Sequence, residues 1–324
     1  MILLGKNIFM SIIKVKEVAY ARITAPDLDT MEEFLSDFGL TRAESTPTAL
    51  YMRGTGPENF LHVTHLGDPR FIGIAYIANS EEDLITLSKL SGASGIENID
   101  EPGCGKRVKV IEPNGYQIEV IHGRKKLDLI PVKRQKTNSI ENPLNRTSEL
   151  MRIPAGPSRP HRIGHVVMGS PKTQETVKWF REVLGMIGSD DVYAGEKNNI
   201  IGSFNRLDCG DAYVDHHSFF CIQSSVAGLN HISFEVQDID DVFMGHEYLA
   251  KKNKYEHMWG IGRHVLGSQV FDYWADPWGR IHEHWADTDR LNVQNISNLV
   301  SAEEGLISQW GEPVHQKFIE RICP

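Results

Sequence analysis

The chain repeats its own pattern once, and this internal repeat limits the folds that it can adopt. The segment EVAYARITAPDL at 17–28 matches RIGHVVMGSPKT at 162–173, and FIGIAYIANSEEDL at 71–84 matches LNHISFEVQDIDDV at 229–242. A third pair keeps the same order, with EPNGYQIEV at 112–120 and DPWGRIHEH at 276–284. The offset between partners only grows along the chain, as expected when loops lengthen in the second copy. The repeat therefore predicts two similar domains.

Each copy reads as a strand, a helix and then three strands. Met31, Phe34 and Phe38 recur at the spacing of one helix face, and Phe180 and Leu184 belong to the equivalent stripe of the second copy. One such unit cannot bury both faces of its sheet, so the two copies should pack into a single body. The predicted fold class is α+β, built from tandem βαβββ modules.

Composition shifts divide the chain into four predicted parts. These are an N-terminal repeat domain at 1–122, a linker at 123–160, a second domain at 161–290 and a tail at 291–324. The linker contains GRKK, KRQK and the Pro-rich run IPAGPSRP, which favour an extended surface crossing. We interpret its basic clusters as solvated linker. The tail is predicted to be partly helical, and its sequence leaves open whether it packs over a domain edge or covers a pocket.

Charge and composition exclude several classes of partner. The net charge of −9 provides no basic surface for nucleic acid, and no apolar stretch reaches the length of a membrane span. The four cysteines lie far apart and form no CxxC pair, which indicates free thiols in a reducing compartment. We therefore expect a cytoplasmic protein, and we expect it to form a homo-oligomer.

Two histidines and one glutamate stand on three separate strand-like segments of the second copy. They are His165 in RIGHVVM, His231 in GLNHISFEV and Glu283 in GRIHEHW. Alternate residues of a strand share a face, so His231 and Ser233 give a central strand a polar face that needs a partner. Two imidazoles and one carboxylate hold a divalent metal and leave about half of a six-coordinate shell open. The pattern predicts an Fe(II) site, and Mn(II) fits the same ligands.

The first copy is an internal control for this metal site. Its residues at the matching positions are Tyr20, Gly73 and Glu119. One carboxylate alone is a poor ligand set for a divalent transition metal. We therefore expect the N-terminal copy to be metal-free.

Two further segments of the second copy carry side chains suited to proton transfer. His216 and His217 are adjacent in DHHSFF, and on a strand they face opposite ways. His264 precedes Tyr273 by nine residues in GIGRHVLGSQVFDYWADPWG. Imidazole can move a proton near neutral pH, and a tyrosine hydroxyl can hydrogen-bond a developing oxyanion.

Residues 162–290 resemble the catalytic module of the type I extradiol ring-cleavage dioxygenases of the vicinal oxygen chelate superfamily. The motifs that carry the resemblance are GHVVM, HHSFF, NHISFEV, GRHVLGSQVFDYWADPWG and GRIHEHW. The whole chain resembles the two-domain form, in which each domain is an incomplete barrel around a cavity. The resemblance implies that the iron ligands are His165, His231 and Glu283. It also implies that His217 is the acid–base histidine and that His264 and Tyr273 hydrogen-bond substrate.

The implied reaction opens the aromatic ring of a catechol next to its diol, with O₂ as the second reactant, in the catabolism of aromatic compounds. Many relatives carry a histidine four residues after the GRH histidine, and here Ser268 stands there. LGSQVFDYW resembles a branch that acts on substituted catechols and trihydroxylated aromatics. Ser268, His216 and Trp274 are therefore predicted to bind the substrate, with Ser268 leaving room and a hydroxyl beside the ring.

Two alternative functions fit the sequence less well. A lyase or isomerase of the glyoxalase or epimerase kind usually takes metal ligands from both modules, whereas here the first copy offers only Glu119. A metal-free binding protein of the same fold has no need for the three ligands together with His217, His264 and Tyr273. Both alternatives are disfavoured.

Overall fold

The computed structural model describes residues 11–133 and 136–324, which fold around two large β-sheets. The first ten residues of the predicted N-terminal domain and the centre of the KRQK cluster lie outside the described residues. Within the described ranges, no helix is long and apolar enough to cross a membrane.

The first half of the chain forms an eight-stranded sheet with two helices. The sheet has the order β2-β3-β4-β1-β5-β8-β7-β6. Its elements are β1 (Val15–Ala25), α1 (Leu28–Asp37), β2 (Thr41–Ser45), β3 (Ala49–Arg53), β4 (His62–Leu66), β5 (Arg70–Ala78), α2 (Glu81–Leu87), β6 (Glu97–Asn98), β7 (Lys106–Ile111) and β8 (Gln117–His122).

The second half forms a ten-stranded sheet and a small two-stranded ribbon. The large sheet has the order β19-β10-β11-β13-β9-β14-β17-β16-β15-β20, and the ribbon pairs β12 with β18. The elements are β9 (Arg162–Ser170), α3 (Thr173–Leu184), β10 (Ile187–Tyr193), β11 (Ile200–Arg206), β12 (Val214–Asp215), β13 (Phe219–Gln223), β14 (Gly228–Glu235), α4 (Ile239–Lys252), β15 (Glu256–His264), β16 (Val270–Ala275), β17 (Ile281–Ala286), β18 (Arg290–Leu291), β19 (Asn298–Ser301), α5 (Ala302–Gly305), β20 (Ser308–Gly311) and α6 (Gln316–Glu320).

The two sheets have the same strand order once the added edge strands are set aside. In each half the first strand of one unit lies beside the first strand of the next, as β1 beside β5 and β9 beside β14. The predicted tandem βαβββ architecture is confirmed. Each half holds two βαβββ units where the sequence repeat revealed one, because the shorter internal repeat is not visible in the residue pattern.

Local signals explain where the helices begin and end. The Asp27 carboxylate accepts from Thr30 N at the start of α1, and Ser80 with Asp83 forms a capping box at the start of α2. Gly185 ends α3 in the left-handed conformation at φ 72°, a position that glycine occupies without a steric penalty.

The two halves share one hydrophobic core. Phe38, at the end of α1, packs edge-on against Phe234 of β14 at 5.6 Å between ring centroids. Its ring also stacks on His284 of β17 at 3.6 Å, and the His284 Nε2 contacts the Phe38 carbonyl oxygen at 2.7 Å. The chain is therefore one packed body, as the repeat predicts.

The described part of the segment between the halves contains no helix or strand and is mostly exposed. Its end is anchored, because Ser158 is buried and donates to the Asp241 carbonyl oxygen at 2.8 Å. The tail is less helical than expected. It adds β19 to one edge of the second sheet and β20 to the other, with α5 and α6 as short helices.

Candidate metal centre

His165, His231 and Glu283 lie on three neighbouring strands, β9, β14 and β17. Ser233 of β14 pairs with His165 on one side and with Glu283 on the other, and His231 lies two residues along on the same strand. The His165 Nε2 is 3.0 Å from the Glu283 Oε2, and the His231 Nε2 is 3.4 Å from the His165 Nε2 and 3.6 Å from that same oxygen. The structure thus brings the three predicted ligands together.

The distances among these three atoms fit one face of an octahedral metal ion. Ligands at right angles and about 2.1 Å from a metal stand about 3.0 Å apart. Glu283 is fully buried, and its ion-pair partners are histidines rather than lysine or arginine in the described part of the chain. A buried carboxylate surrounded by neutral imidazoles lacks a compensating positive charge, which a divalent cation supplies.

The two imidazoles are held in the neutral, ligating form. Burial lowers the pKa of His165 and of His231 to about 3, so both keep a lone pair at neutral pH. The Asn230 Oδ1 lies 2.7 Å from the His231 Nδ1 and accepts a hydrogen bond from it. This hydrogen bond leaves the His231 Nε2 free for a metal. The Ser233 hydroxyl donates to the Glu283 Oε2 and fixes the carboxylate.

The equivalent place in the first half is filled by an ion-pair cluster. The Tyr20 hydroxyl donates to the Glu119 Oε2 at 2.7 Å, and the Arg22 Nε donates to the Glu119 Oε1 at 2.7 Å. Burial raises the pKa of Glu119, but Arg22 and the Tyr20 hydrogen bond outweigh this and hold it below its ordinary value. A Cβ added at Gly73 would lie 1.7 Å from the Gln117 carbonyl oxygen, so a histidine does not fit there.

A chain of hydrogen-bonding groups leads away from the metal centre through the histidine pair. The His217 ring lies 4.1 Å from the His165 ring, and its Nδ1 is 3.0 Å from the His216 Nδ1. The His216 Nε2 lies 2.5 Å from the Asp190 Oδ2, and Asn298 of the tail donates to the other oxygen of Asp190 at 2.9 Å. All of these groups except Asn298 are buried.

On the other side of the centre, His264 and Tyr273 form a second pair. The His264 Nε2 lies 2.9 Å from the Tyr273 hydroxyl and 3.9 Å from the Glu283 Oε1. Burial lowers the pKa of His264 to about 4, and burial with the nearby Glu283 carboxylate raises the pKa of Tyr273 well above its ordinary value. At neutral pH the imidazole is therefore neutral and the phenol keeps its proton.

A cavity of about 380 Å³ is lined by His165, His217, His231, His264 and Tyr273. Its volume is in the range that holds a small organic ligand. Apolar side chains from the second sheet and from the tail form much of the wall, among them Val167, Phe204, Phe220, Leu306, Val314 and Phe318. The tail therefore covers the cavity and also extends the sheet edges, so it does both of the things that the sequence left open.

The structure does not bring all of the predicted substrate-binding residues to this cavity. His216 lies behind His217 and contacts Asp190. The Ser268 hydroxyl donates to the Asp289 Oδ2 at 2.9 Å, outside the cavity wall. Trp274 faces the other side of the sheet, where its indole donates to the Asp272 Oδ2 at 2.6 Å. The physical reason is strand alternation, since Tyr273 takes the cavity side and its neighbour Trp274 takes the other.

Three buried polar residues near the cavity were missed by the sequence reasoning. Asn230 and Asp190 orient histidines, as described above, and Gln269 lies on the cavity wall. Strand alternation could have found Gln269, because it stands four residues before Tyr273 and so shares its face. Asp190 gives no such signal, because only the folded sheet brings β10 beside the histidine pair.

The second half of the chain is similar to a known superfamily. Residues 162–281 match the family described as Glyoxalase/Bleomycin resistance protein/Dioxygenase superfamily. Among curated proteins, "Metapyrocatechase 2" of Cupriavidus necator is 28% identical over 309 residues, covering 94% of this chain and 92% of that protein. An "Iron-dependent extradiol dioxygenase" of Rhodococcus jostii strain RHA1 is 22% identical over 315 residues, covering 92% and 96%.

Solved structures share the whole fold. The Mn(II)-bound glyoxalase from Novosphingobium aromaticivorans superposes with a TM-score of 0.76 at 23% identity, covering 94% of each chain. Homoprotocatechuate 2,3-dioxygenase from Brevibacterium fuscum, in an anaerobic complex with 3,4-dihydroxyphenylacetate, superposes with a TM-score of 0.78 at 15% identity, covering 99% of this chain and 96% of that one. The predicted two-domain fold is therefore confirmed.

Proposed function

We propose that this protein is an extradiol dioxygenase that uses Fe(II) and O₂ to open the ring of a substituted catechol next to its diol. The observation that carries the proposal is the facial set of His165, His231 and Glu283, whose two histidines lie on the wall of an apolar cavity. Three protein ligands leave positions for a bidentate diol and for a small gas molecule. The relatives named metapyrocatechase and extradiol dioxygenase support the same reaction class.

When bound, Fe(II) would lower the pKa of the diol and hold both reactants in one orientation. The protein residues supply the remaining chemistry. The apolar wall excludes water from the ring, with Phe204 and Phe220 stacked on each other at 3.8 Å. Excluding water strengthens every polar interaction that remains in the site.

His217 is positioned to act as the base. The Asp190 carboxylate only accepts hydrogen bonds, so the His216 Nε2 carries the proton between them. The His216 Nδ1 then accepts from the His217 Nδ1, which leaves the His217 Nε2 with a lone pair. Burial and the neighbouring imidazole of His165 lower the pKa of His217 well below its ordinary value. His217 is therefore neutral before the reaction. It takes a proton from a diol hydroxyl, holds it, and gives it back as the ring opens.

His264 and Tyr273 are positioned to hold the substrate oxygens. The phenol of Tyr273 keeps its proton and can donate to an oxygen that gains negative charge as the ring opens. The neutral imidazole of His264, hydrogen-bonded to the Tyr273 hydroxyl, fixes the direction of that phenol.

Mn(II) fits the same nitrogen and oxygen ligands, and relatives named for manganese and for iron are both similar to this chain. A glyoxalase reaction is the second candidate, because one structural neighbour bears that name. The ligand positions disfavour it, since all three ligands come from the second half and the matching carboxylate, Glu119, is held by Arg22.

The proposal is tested by loading the protein anaerobically with Fe(II), adding a panel of catechols and then O₂, and following the yellow ring-opened product. His217→Phe should keep its iron and lose activity on the order of 10²–10⁴-fold, the usual contribution of a proton shuttle. His315→Phe is the matched control, because the His315 side chain is exposed and does not line the cavity. Absence of ring-opened product from every catechol with full iron content would contradict the proposal.

We also infer that the protein is cytoplasmic, since its four cysteines are free thiols. Its expected assembly into a homo-oligomer stays a prediction, which light scattering of the purified protein would measure.

A further inference from the structure

Gln269 is a buried polar side chain on the wall of the cavity. It is 1% exposed and lies on the cavity wall, immediately before β16. Within the residues that the structure describes, neither its amide oxygen nor its amide nitrogen has a hydrogen-bond partner. Buried amides are almost always hydrogen-bonded, so an unpartnered amide facing a cavity indicates a group that arrives with a ligand.

The other polar groups of this wall have protein partners, and those proposed to act on substrate face the diol. Asn230 bonds to His231, His217 bonds to His216, and Tyr273 bonds to His264. The Gln269 amide is left free for a group on the ligand that the metal and these residues do not hold.

The backbone places Gln269 directly across from His264. The His264 N donates to the Gln269 carbonyl oxygen at 2.9 Å, so the two residues face each other across the β15–β16 hairpin. Side chains opposite each other in an antiparallel pair have Cβ atoms about 5 Å apart. Gln269 therefore lies beside the residue proposed to hold the substrate oxygens, within reach of a substituent on the same ring.

Gly267 leaves the space that the amide occupies. A Cβ added at Gly267 would lie 3.2 Å from the Gln269 Oε1 and 3.1 Å from the His216 Nδ1. Both atoms therefore lie close to Gly267, which places the amide oxygen near the histidine pair.

We propose that Gln269 is a specificity-determining residue that binds a hydroxyl substituent on the ring of the catechol. A hydroxyl can accept from the amide NH₂ and donate to the amide oxygen, whereas an alkyl group of similar size satisfies neither atom. This inference rests on the proposed dioxygenase function and names its substrate class as a catechol with a third hydroxyl.

The test compares a trihydroxybenzene with the methylcatechol that carries its methyl group at the same ring position. Each ligand is titrated anaerobically into the Fe(II)-loaded protein to give Kd, and kcat/KM is then measured with O₂. The wild type should favour the hydroxyl compound by tenfold or more in both quantities. Sites built to hydrogen-bond a hydroxyl reject analogues that lack it.

Gln269→Leu and the more flexible Gln269→Met should each reduce that preference at least tenfold. Gln223→Leu, the same change at an exposed position on β13, should leave the preference intact. Without ligand, the Gln269 variants should unfold at the same temperature as the wild type or higher, because an unpartnered buried amide is removed.

A wild-type preference for the methyl compound, or a preference that both Gln269 variants retain, overturns the inference. The wild type could also bind the hydroxyl compound selectively, lose this selectivity in Gln269→Leu, and yet open neither ring. That result supports the inference about Gln269 and counts against the proposed dioxygenase function.

Discussion

Asp190 lies two hydrogen bonds away from the proposed base, and its effect on the reaction must pass through His216. We predict that Asp190→Asn lowers kcat on the order of tenfold to hundredfold, as is typical when a residue that orients an active-site histidine is changed. An amide can donate as well as accept, so it no longer selects the tautomer that leaves the His217 Nε2 unprotonated.

Two measurements distinguish positioning from general damage in this variant. Iron content and the Kd for the catechol should match the wild type, while the pH profile of kcat should shift. Asn298→Ala removes only the hydrogen bond to the other oxygen of Asp190 and should cause a smaller loss. Equal loss of iron and of activity in Asp190→Asn would show that the residue acts on the fold instead.

At the scale of elements, helix α4 is held to the second sheet by a buried carboxylate. The Asp272 Oδ1 on β16 lies 3.0 Å from the His246 Nδ1 on α4 and 2.8 Å from the His257 Nε2 on β15. The hydrogen bond to Asp272 raises the pKa of His246 above its ordinary value, although partial burial opposes the shift. The protonated imidazole and the carboxylate thus form an ion pair across the helix–sheet contact.

The ion pair between His246 and Asp272 predicts a pH-dependent contribution to stability. A histidine with a raised pKa in the folded state stabilises the fold fully below its unfolded pKa, and this contribution is lost as pH rises through the folded pKa. The difference in unfolding free energy between wild type and His246→Gln should therefore shrink from about pH 5.5 to about pH 9. Urea denaturation of both proteins across this pH range measures the difference in unfolding free energy. Asp272 stays ionised throughout, because its pKa lies below its ordinary value. A difference that stays constant with pH would refute the ion pair.

The elements also show what the sequence could and could not predict. The cluster of His165, His231 and Glu283 was predictable because each residue sits in a strand motif and the repeat supplies a copy for comparison. Trp274 was misplaced because the prediction grouped neighbours in sequence, whereas a strand sends Tyr273 and Trp274 to opposite faces. The edge strands β19 and β20 were missed because pairing at a sheet edge depends on partners more than 40 residues away in sequence.

At the scale of the whole molecule, the two halves share a fold but carry different side chains at the position of the candidate metal centre. We predict one Fe(II) per chain, bound entirely by the second half. Metal analysis after anaerobic loading and desalting should give one equivalent for the wild type and close to none for His231→Ala. Glu119→Gln, a change at the equivalent place in the first half, should keep one equivalent. Two equivalents in the wild type, or iron retained by His231→Ala, would contradict the assignment.

The close approach of β5 and β8 at Gly73 has a consequence for how such a chain can evolve. A second iron site in the first half would require histidines in place of Tyr20 and Gly73 and removal of the Arg22 guanidinium from Glu119. The substitution Gly73→His requires that the backbone at Gln117 first moves, because a Cβ at position 73 would clash with it. No single substitution along that route completes a set of three ligands, so an iron site in this half would need several coupled changes. New activities in this protein should therefore arise through the walls of the existing cavity.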